Sequence, residues 1–261
     1  MDDGAGERGV DDRVARVAEA LSGADTAAVL TGAGVSAASG VPTFRGDDGV
    51  WETAFDPADF EYGRFRRDPA GFWRDRVDLH EALFGDDPEP NAAHEALARL
   101  ERLGAIDAVL TQNTDGLHAA AGSERVVELH GNARRVVCEA CDARYDAAPV
   151  RERAADGDLP PRCDCGGPLK PDVTLFGEAL PRERLAEARR LARDADAFLA
   201  VGSSLTVEPA ASLPRTAARS GRLVVVNLDP TDVDGLADVV LRADVTRVLP
   251  ALADAVADRV D

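Results

Sequence analysis

Short apolar runs alternate with amphipathic stretches along most of the chain. The runs have the length of buried strands and fall at residues 27–30, 105–110, 126–129, 197–201, 223–226 and 239–241. Between and beside these runs, apolar residues recur every three or four positions, which predicts helices over 10–21, 91–103, 181–193, the part of 205–218 after Pro209, and 246–260. Strands that alternate with helices predict an α/β fold, in which a parallel sheet has helices on both faces.

Three stretches break this alternation. Residues 1–10 are acidic and polar, and we expect a disordered leader there rather than a signal peptide. Residues 47–87 hold most of the aromatic side chains between Pro and Gly breaks, which predicts a helical insertion. Residues 134–169 carry every cysteine and predict a small separate module. The main module would then comprise residues 11–46, 88–133 and 170–261.

A glycine-rich loop follows the first predicted strand. Gly32, Gly34 and Ala37 fit the pattern G-x-G-x-x-G/A, which places a pyrophosphate at a helix N-terminus. The alternative is a turn of small residues that only packs. Pro42 opposes a regular helix after the loop, and no second strand leads to an acidic residue that would hold a ribose. The pattern therefore favours a dinucleotide loop without the layout of a hydride-transfer enzyme.

The four cysteines form two close pairs, Cys138-x-x-Cys141 and Cys163-x-Cys165. Thiolate pairs on tight turns are the usual ligands of a structural zinc ion, and two disulfides are the alternative. Nothing in the sequence indicates secretion, so we predict one zinc ion. A site with four thiolates has no open position, so this zinc would stabilise a small module rather than catalyse a reaction.

Polar residues follow the predicted strands where each strand ends, which is where α/β proteins bind ligands. These groups are Gln112-Asn113-Thr114-Asp115, His130-Gly131, Gly202-Ser203-Ser204 and Asn227-Leu228-Asp229. His130 is the candidate general base, with a structural role as the alternative, because a neutral imidazole accepts a proton near neutral pH. We expect the helical His80 and His94 to be structural, and His118 to pack or cap its loop.

Composition narrows the class of protein. The chain has 261 residues, 45% of them hydrophobic, and no run long enough to span a bilayer, so we expect a cytoplasmic protein. The net charge of -18 opposes nucleic-acid binding and favours a chain adapted to high salt over a merely acidic one. Lys170 is the only lysine among the 30 basic residues. Nucleophile-elbow and P-loop patterns are absent from the sequence.

Seven ordered motifs carry a family resemblance. They are GAGVSAASGVPTFRG, TQNTDGLH, ELHG, the two cysteine pairs, KPDVTLFGE, GSSLTVEPA and VNLDP. In this order they resemble the sirtuins, the NAD-dependent protein lysine deacylases, over roughly residues 12–250, with a composition like that of halophilic archaeal or bacterial members. The resemblance implies a Rossmann-like domain plus a small zinc-ribbon and helical domain, with substrates in the cleft between them.

The resemblance also implies residue roles. NAD would be held by Gly32, Ala33, Gly34, Ser36, Phe44, Arg45, Gln112, Asn113, Asp115, Gly202, Ser203, Ser204, Asn227, Leu228, Asp229 and Val245. Asn113 would position the nicotinamide ribose, and His130 would take a proton from a ribose hydroxyl. Val173, Thr174, Phe176 and Gly177 would pair with the acyl-lysine backbone as an added strand. Nicotinamide, free lysine and O-acyl-ADP-ribose would be the products.

One departure concerns the acyl group. Sirtuins that prefer succinyl- or malonyl-lysine carry a Tyr and an Arg three positions apart, and Trp73 and Arg76 stand at the corresponding place here. The Tyr hydroxyl is missing, so the sequence favours deacetylation and leaves wider acyl use open. Mono-ADP-ribosyl transfer and a non-enzymatic NAD or zinc adaptor are the alternative functions. The sequence leaves the oligomeric state open.

Overall fold

The computed structural model describes residues 3–44, 49–85 and 87–260. The strands are β1 (Ala27–Thr31), β2 (Ala108–Thr111), β3 (Val126–Glu128), β4 (Gly131–Cys138), β5 (Arg144–Asp146), β6 (Leu169–Val173), β7 (Ala197–Val201), β8 (Arg222–Val226) and β9 (Val239–Leu241). The helices are α1 (Asp3–Ser22), α2 (Val50–Thr53), α3 (Tyr62–Arg67), α4 (Pro69–Phe84), α5 (Ala92–Arg102), α6 (Leu117–Ala120), α7 (Ala147–Ala155), α8 (Arg182–Asp194), α9 (Leu213–Ala217) and α10 (Val245–Val260). Short 3-10 helices lie at Ala33–Val35, Ala37–Ser39, Pro57–Phe60, Ala210–Ser212 and Asp234–Leu236.

The larger sheet has six parallel strands in the order β3-β2-β1-β7-β8-β9. Its central strand shows why the apolar runs are continuous: Ala27 and Val29 pack on one face, and Ala28 and Leu30 pack on the other. Helices α1, α5 and α10 cover the first face, and α8 and α9 cover the second. A strand with both faces covered needs apolar residues at every position. The predicted α/β fold is confirmed.

The strand order reverses between β1 and β7. From β1 the chain builds outward through β2 and β3, and it then returns to add β7, β8 and β9 on the other side. The connections that leave β1 and β7 therefore diverge at the carboxyl ends of the strands. Such a switch point opens a crevice in parallel sheets, and it brings the predicted polar groups to one edge.

A second, antiparallel sheet has the order β5-β4-β6 and carries the cysteines. It begins at Gly131 and ends at Val173, so it extends beyond the predicted 134–169 module at both ends, because those two residues are paired across the sheet. Helices α2 to α4 share one apolar core with this sheet. Trp73 of α4 donates its indole N–H to the carbonyl oxygen of Leu169 at 2.8 Å. The 47–87 insertion and the cysteine module thus pack together.

One local expectation was wrong. The leader predicted at residues 1–10 is helical from Asp3, because a helix started by the apolar stripe from Val10 onward propagates through a segment without proline. The helix predicted after Pro209 within 205–218 is present as the 3-10 turn Ala210–Ser212 followed by α9. Over the described ranges 3–44, 49–85 and 87–260, every helix is too short or too polar to cross a membrane.

Candidate functional site

The glycine loop after β1 packs directly against the loop after β7. Gly34 donates its N–H to the carbonyl oxygen of Gly202 at 2.9 Å. A Cβ atom on Gly32 would lie 2.7 Å from Cβ of Ser203, and one on Gly202 would lie 2.7 Å from the Val35 nitrogen. Gly202 also has a φ of 58°, which favours glycine. These glycines let two backbones touch at the switch point, so the loop packs as well as facing the crevice.

Gln112 connects the end of β2 to the loops that follow β1 and β7. Its side-chain amide donates to the Ser203 hydroxyl at 2.9 Å and, more weakly, to the Thr31 carbonyl at 3.4 Å. Its backbone N–H also donates to Thr31 at 3.0 Å. The ends of β1, β2 and β7 are therefore joined by hydrogen bonds, as the positions of the predicted polar groups require.

Ser36 is the centre of a buried hydrogen-bond network. Its hydroxyl donates to Asp115 Oδ2 at 2.8 Å and accepts from Asn113 Nδ2 at 3.0 Å. The second Nδ2 proton of Asn113 goes to the Gly32 carbonyl at 3.0 Å, and Asp115 Oδ1 accepts the Leu117 N–H at 2.8 Å. Because all three polar side chains are buried, each depends on the others for its orientation.

His94 completes this network from helix α5. Its Nδ1 accepts the backbone N–H of Asn91 at 3.3 Å as part of a capping box, so the proton is assigned to Nε2. That nitrogen lies 3.4 Å from the Ser36 hydroxyl. Burial lowers the pKa of His94, although the charge of Asp115 opposes that effect. His94 is therefore a neutral donor to the Ser36 hydroxyl.

His118 lies beside His94, with ring centroids 4.8 Å apart, and is buried. Thr31 donates its hydroxyl proton to Thr111 at 2.9 Å, so Thr31 accepts from His118 Nε2 at 2.9 Å. His118 Nδ1 is buried without a hydrogen-bond partner in the described part of the chain. Burial, and then the neighbouring His94, lower the pKa of His118 to about 3. The imidazole packs against its loop, as expected, and stays neutral.

His130 is half-buried at the end of β3, and a backbone carbonyl fixes its tautomer. Its Nδ1 lies 3.0 Å from the carbonyl oxygen of Gln112, which can only accept, so Nδ1 carries the proton. Nε2 is then left with a free lone pair. Burial lowers the pKa of His130, and the bond to Gln112 partly opposes this. The site thus holds a neutral imidazole that is ready to accept a proton at Nε2.

The segment after β6 runs beside His130. Thr174 donates its N–H to the His130 carbonyl at 2.8 Å, and Phe176 is bridged to Glu61 by hydrogen bonds with Phe60 and Tyr62. Gly177 has a φ of 81° and turns the chain away. The Phe176 ring is 36% exposed and packs edge-on against Trp51, with centroids 5.5 Å apart. Of the four residues predicted to pair with a peptide, Val173, Thr174 and Phe176 lie along one segment that joins the smaller sheet to the residues before α3, and Gly177 ends it.

Lys170 and Glu178 form an ion pair that bonds to the backbone of this segment, and we call this pair the clasp. The Lys170 ammonium donates to the Val173 carbonyl at 2.8 Å and to Glu178 Oε2 at 2.9 Å. The same Glu178 oxygen accepts the Leu175 N–H at 2.7 Å. Lys170 is only 6% exposed. Sequence reasoning missed this pair, although the presence of a single lysine in so arginine-rich a chain was a signal.

Most of the remaining predicted cofactor residues lie on turns or at the starts of helices. Asn227 donates its side-chain amide to the Asp229 carbonyl at 2.9 Å, which shapes the turn after β8. Leu228 on that turn is 68% exposed. Ser204 pairs with Thr206, Ala33 begins a 3-10 turn, and Val245 begins α10. Phe44 stacks on Trp51 at 5.7 Å, and Arg45 lies outside the described residues.

The four cysteines converge on one point. All four Sγ atoms lie within 4.8 Å of one another, and the nearest pairs are Cys138 with Cys165 at 3.5 Å and Cys141 with Cys163 at 3.7 Å. A zinc tetrahedron with bonds of about 2.3 Å has sulfur–sulfur edges of about 3.8 Å. The cluster therefore fits one structural zinc ion.

The backbone around the cysteines also fits thiolates. Ala140 and Gly167 direct their N–H groups at Cys138 and Cys165 Sγ, each at 3.4 Å. The Tyr145 hydroxyl donates to Cys163 Sγ at 3.0 Å and lowers the pKa of that thiol to about 6. A Cβ atom on Gly167 would lie 2.7 Å from Cys138 Sγ, so only glycine fits there without a shift.

Trp73 and Arg76, the residues predicted to meet the acyl group, lie on the face of α4 that packs on the smaller sheet. Trp73 is 2% exposed and Arg76 is 8% exposed. Within the described ranges, no hydrogen bond or ring contact joins either residue to His130, Thr174 or Phe176. The structure brings the glycine loops, His130 and the peptide segment together, and it leaves these two side chains at a neighbouring interface.

Known proteins with similar sequences and structures fall in one family. The Sir2 family profile matches residues 32–209. A protein of Haloarcula marismortui called NAD-dependent protein deacetylase is 64% identical over 241 residues, which cover 91% of this chain and 92% of that protein.

Solved structures of Sir2 proteins are also similar to this chain. A Sir2–p53 peptide–NAD+ complex has a TM-score of 0.81 at 37% identity, covering 92% of this chain and 96% of that one. A Sir2 structure with deacetylated p53 peptide and 3'-O-acetyl ADP-ribose has a TM-score of 0.84 at 36% identity, with the same two coverages.

Proposed function

The chain belongs to the Sir2 family, and on that premise we propose that it removes acyl groups, acetyl foremost, from protein lysine side chains in an NAD-dependent reaction. The products would be the free lysine, nicotinamide and O-acyl-ADP-ribose. The observation that carries this proposal is the tautomer of His130. Its Nδ1 proton is fixed on the Gln112 carbonyl, which leaves Nε2 as a base at the strand edge where the glycine loops meet.

The crevice residues suit a dinucleotide. Gly32, Ala33 and Gly34 carry little or no side chain at the switch point, so a pyrophosphate would approach this backbone with little steric hindrance. The N–H groups of Gly32 and Gly34 already bond to Val201 and Gly202, so the Ala33 N–H would be the donor of this loop. Ser203 and Ser204 would approach the phosphates and the adenosine ribose from the other side. Asn227, Leu228, Asp229 and Val245 would border the adenosine, and the exposed Leu228 offers it an apolar surface. Bound NAD supplies the anomeric carbon that receives the acyl oxygen.

Asn113 is oriented for a role at the ribose. Both protons of its amide group are used by Gly32 and Ser36, which leaves its Oδ1 without a partner in the described part of the chain. A ribose hydroxyl would donate to this oxygen. His130 Nε2 would accept the proton of a ribose hydroxyl, which activates that oxygen for attack on the acyl carbon. Asp115 would receive the nicotinamide carboxamide, while Gln112 holds the loop.

The protein substrate would lie along the extended segment Val173, Thr174, Phe176 and Gly177. One edge of this segment is bonded to His130, Phe60 and Tyr62, and on the other edge Lys170 and Glu178 use the Val173 carbonyl and the Leu175 N–H. An acyl-lysine peptide would add as a strand at the backbone groups of the segment that these bonds leave free. The Phe176 and Phe44 rings would border the lysine stem and exclude water, which protects NAD from hydrolysis.

Acyl selectivity is argued from Trp73 and Arg76. Arg76 would be a cation for a carboxylated acyl chain, and the Tyr that accompanies such an Arg is replaced by Trp73, whose N–H is already used by Leu169. We therefore propose acetyl-lysine as the preferred substrate. We further assign the enzyme to the cytoplasm, without a role in nucleic-acid or membrane binding.

One assay tests the proposal. Acetyl-, propionyl- and succinyl-lysine peptides are incubated with NAD at high and low salt, and products are read by mass spectrometry. We expect loss of the acyl mass from the peptide together with O-acyl-ADP-ribose and nicotinamide. Nicotinamide release that is independent of acylation, with ADP-ribose added to the protein acceptor, would favour mono-ADP-ribosyl transfer. An NAD pool left unconsumed with every peptide would favour the adaptor.

A further inference from the structure

Arg76 is a buried cation without a counter-charge. It lies on α4 with 8% of its surface exposed, yet within residues 3–44, 49–85 and 87–260 no carboxylate or hydrogen-bond acceptor pairs with its guanidinium. Arginine stays charged in proteins, so a buried guanidinium costs free energy unless an anion or several acceptors compensate it. Other partly buried arginines of the chain, such as Arg135, have carboxylates within 3.1 Å.

A second arginine faces the same space. Arg151 of α7 lines a small cavity together with Arg76 and His80, and it too has no paired carboxylate in the described part of the chain. The rest of the lining is apolar, from Trp73, Val136 and Pro171 among others. Burial, and then the charge of Arg151, lower the pKa of Arg76 to about 10. Two like charges therefore converge on a partly apolar space, which is unfavourable unless something negative lies between them.

His80 adds a neutral donor or acceptor to this lining. Burial, Arg151, Arg76 and Arg134 all lower its pKa, to about 3, so the ring does not add a third charge at neutral pH. The cavity has a free volume of about 10 Å³, enough for roughly one water-sized particle. A carboxylate or a phosphate would extend out of this space, whereas a single halide ion is comparable in size to a water molecule.

We propose that the cavity between α4 and α7 binds one halide ion, chloride in the cell, held by Arg76 and Arg151 with His80 beside it. The ion would neutralise the guanidinium pair and bridge the helical insertion to the cysteine-bearing module. This inference does not depend on the proposed deacylase activity, because neither arginine belongs to the proposed NAD-binding residues or to the peptide segment.

Bromide provides the direct test. Crystals of the full chain grown in sodium bromide, with data collected at the bromine absorption edge, should show an anomalous peak between the two guanidinium groups. A cavity without anomalous signal, or with signal only at exposed side chains, would overturn the proposal.

Thermal unfolding gives a second readout in solution. At equal sodium concentration, we expect Tm to be higher in chloride or bromide than in gluconate, which is too large for the cavity, by about 2–4 °C. Arg151→Gln should remove this anion-specific difference, whereas Arg190→Gln, which removes the same charge from the exposed face of α8, should keep it. Equal anion dependence in both variants would mean that salt acts only through general screening, and the proposal would be wrong.

A peptide assay separates the cavity from an acyl subsite. If Arg151→Gln impairs turnover of succinyl-lysine but not acetyl-lysine peptide, while bromide leaves no peak, the guanidinium pair serves an acyl carboxylate instead of a halide. That result would refute the ion site without affecting the deacylase proposal.

Discussion

The Lys170 ammonium lies 2.9 Å from Glu178 Oε2, and this ion pair holds the backbone of Val173 and Leu175 between its two charges. The peptide segment is thus fixed on one side by His130 and Phe60 and on the other by this clasp. A rigid template lowers the entropic cost of binding a flexible peptide. The clasp is therefore a positioning device for the substrate strand.

We expect Lys170→Met to raise KM for the acyl-lysine peptide more than KM for NAD, because the ion pair contacts only the peptide segment. Removing one partner from a buried ion pair also costs about 3 kcal/mol of the free energy of unfolding, since Glu178 stays behind unpaired. Steady-state kinetics with each substrate varied and urea unfolding measure both effects. Glu187→Gln, which breaks the exposed Arg125 pair, should cost less than about 1 kcal/mol and leave both KM values alone. A rise confined to KM for NAD would contradict the assignment.

The Ser36 hydroxyl joins Asn113, Asp115 and His94. Ser36→Ala should therefore free Asn113 and Asp115 to reorient, and it should cost about 1–3 kcal/mol of stability because buried polar groups lose partners. We expect weaker NAD binding by calorimetry together with a lower kcat. The matched change Ser220→Ala removes one exposed hydroxyl that bonds to Arg193 and should change neither quantity. Wild-type NAD affinity in the Ser36 variant would exclude the network from cofactor binding.

His130 is expected to set the acid limb of the activity profile. Burial lowers its pKa below the ordinary value of about 6.5, so the neutral base persists at more acidic pH than for a free imidazole. The midpoint of kcat/KM should fall below pH 6.5, and His130→Ala should lose about 10²–10⁴-fold in rate while keeping NAD affinity and Tm. A midpoint above 6.5, or a variant with full turnover, would argue against His130 as the base.

Stability should decline as the solution becomes acidic, in a window set by His118. Its folded pKa of about 3 lies below the unfolded value of about 6.5, so between these values the unfolded chain binds one more proton than the folded chain. The free energy of unfolding should then fall by up to about 1.4 kcal/mol per pH unit below pH 6.5 for this residue and stay level above it. Denaturant unfolding from pH 4 to 8 measures the slope. His118→Gln should reduce the slope by the share of one proton and leave the share of His80, whose pKa is also lowered to about 3. An unchanged slope would exclude His118 as a contributor.

Metal removal should unfold the smaller sheet before the larger one. The cysteine module shares its core with α4 but has few large apolar side chains of its own. We expect about one zinc per chain by elemental analysis and selective loss of amide-exchange protection over 131–173 after chelation. Gly167→Ala should weaken zinc retention because its Cβ would press on Cys138 Sγ. A folded, fully protected metal-free module would contradict this view.

The sequence predicted the strands well because a parallel sheet covered on both faces requires continuous apolar runs. Ala27–Thr31 and Ala197–Val201 are such runs, and the polar groups at their ends met as expected. The helix predicted after Pro209 forms as a 3-10 turn followed by the short α9, with Pro214 in the first turn of α9. The helical start at Asp3 was missed, because acidic and glycine-rich composition resembles that of a disordered tail.

Contacts between residues far apart in the chain could not be predicted from the pattern of apolar and polar positions. His94 was expected to be only structural because it lies on a helix, yet α5 delivers its Nε2 to Ser36 across 58 positions of the chain. The base tautomer of His130 depends on a backbone carbonyl, which no sequence pattern specifies. The roles of Trp73 and Arg76 at the acyl group remain predictions.

The single lysine has a consequence for the chemistry of the chain itself. Its ε-amine is buried and bonded to Val173 and Glu178, and every other basic side chain except the histidines is an arginine. Metabolic acyl donors and amine-reactive labels therefore find no exposed lysine on the folded protein. The enzyme therefore has no exposed lysine that could become its own substrate. Lysine acylation, the modification that it would reverse, does not alter its activity.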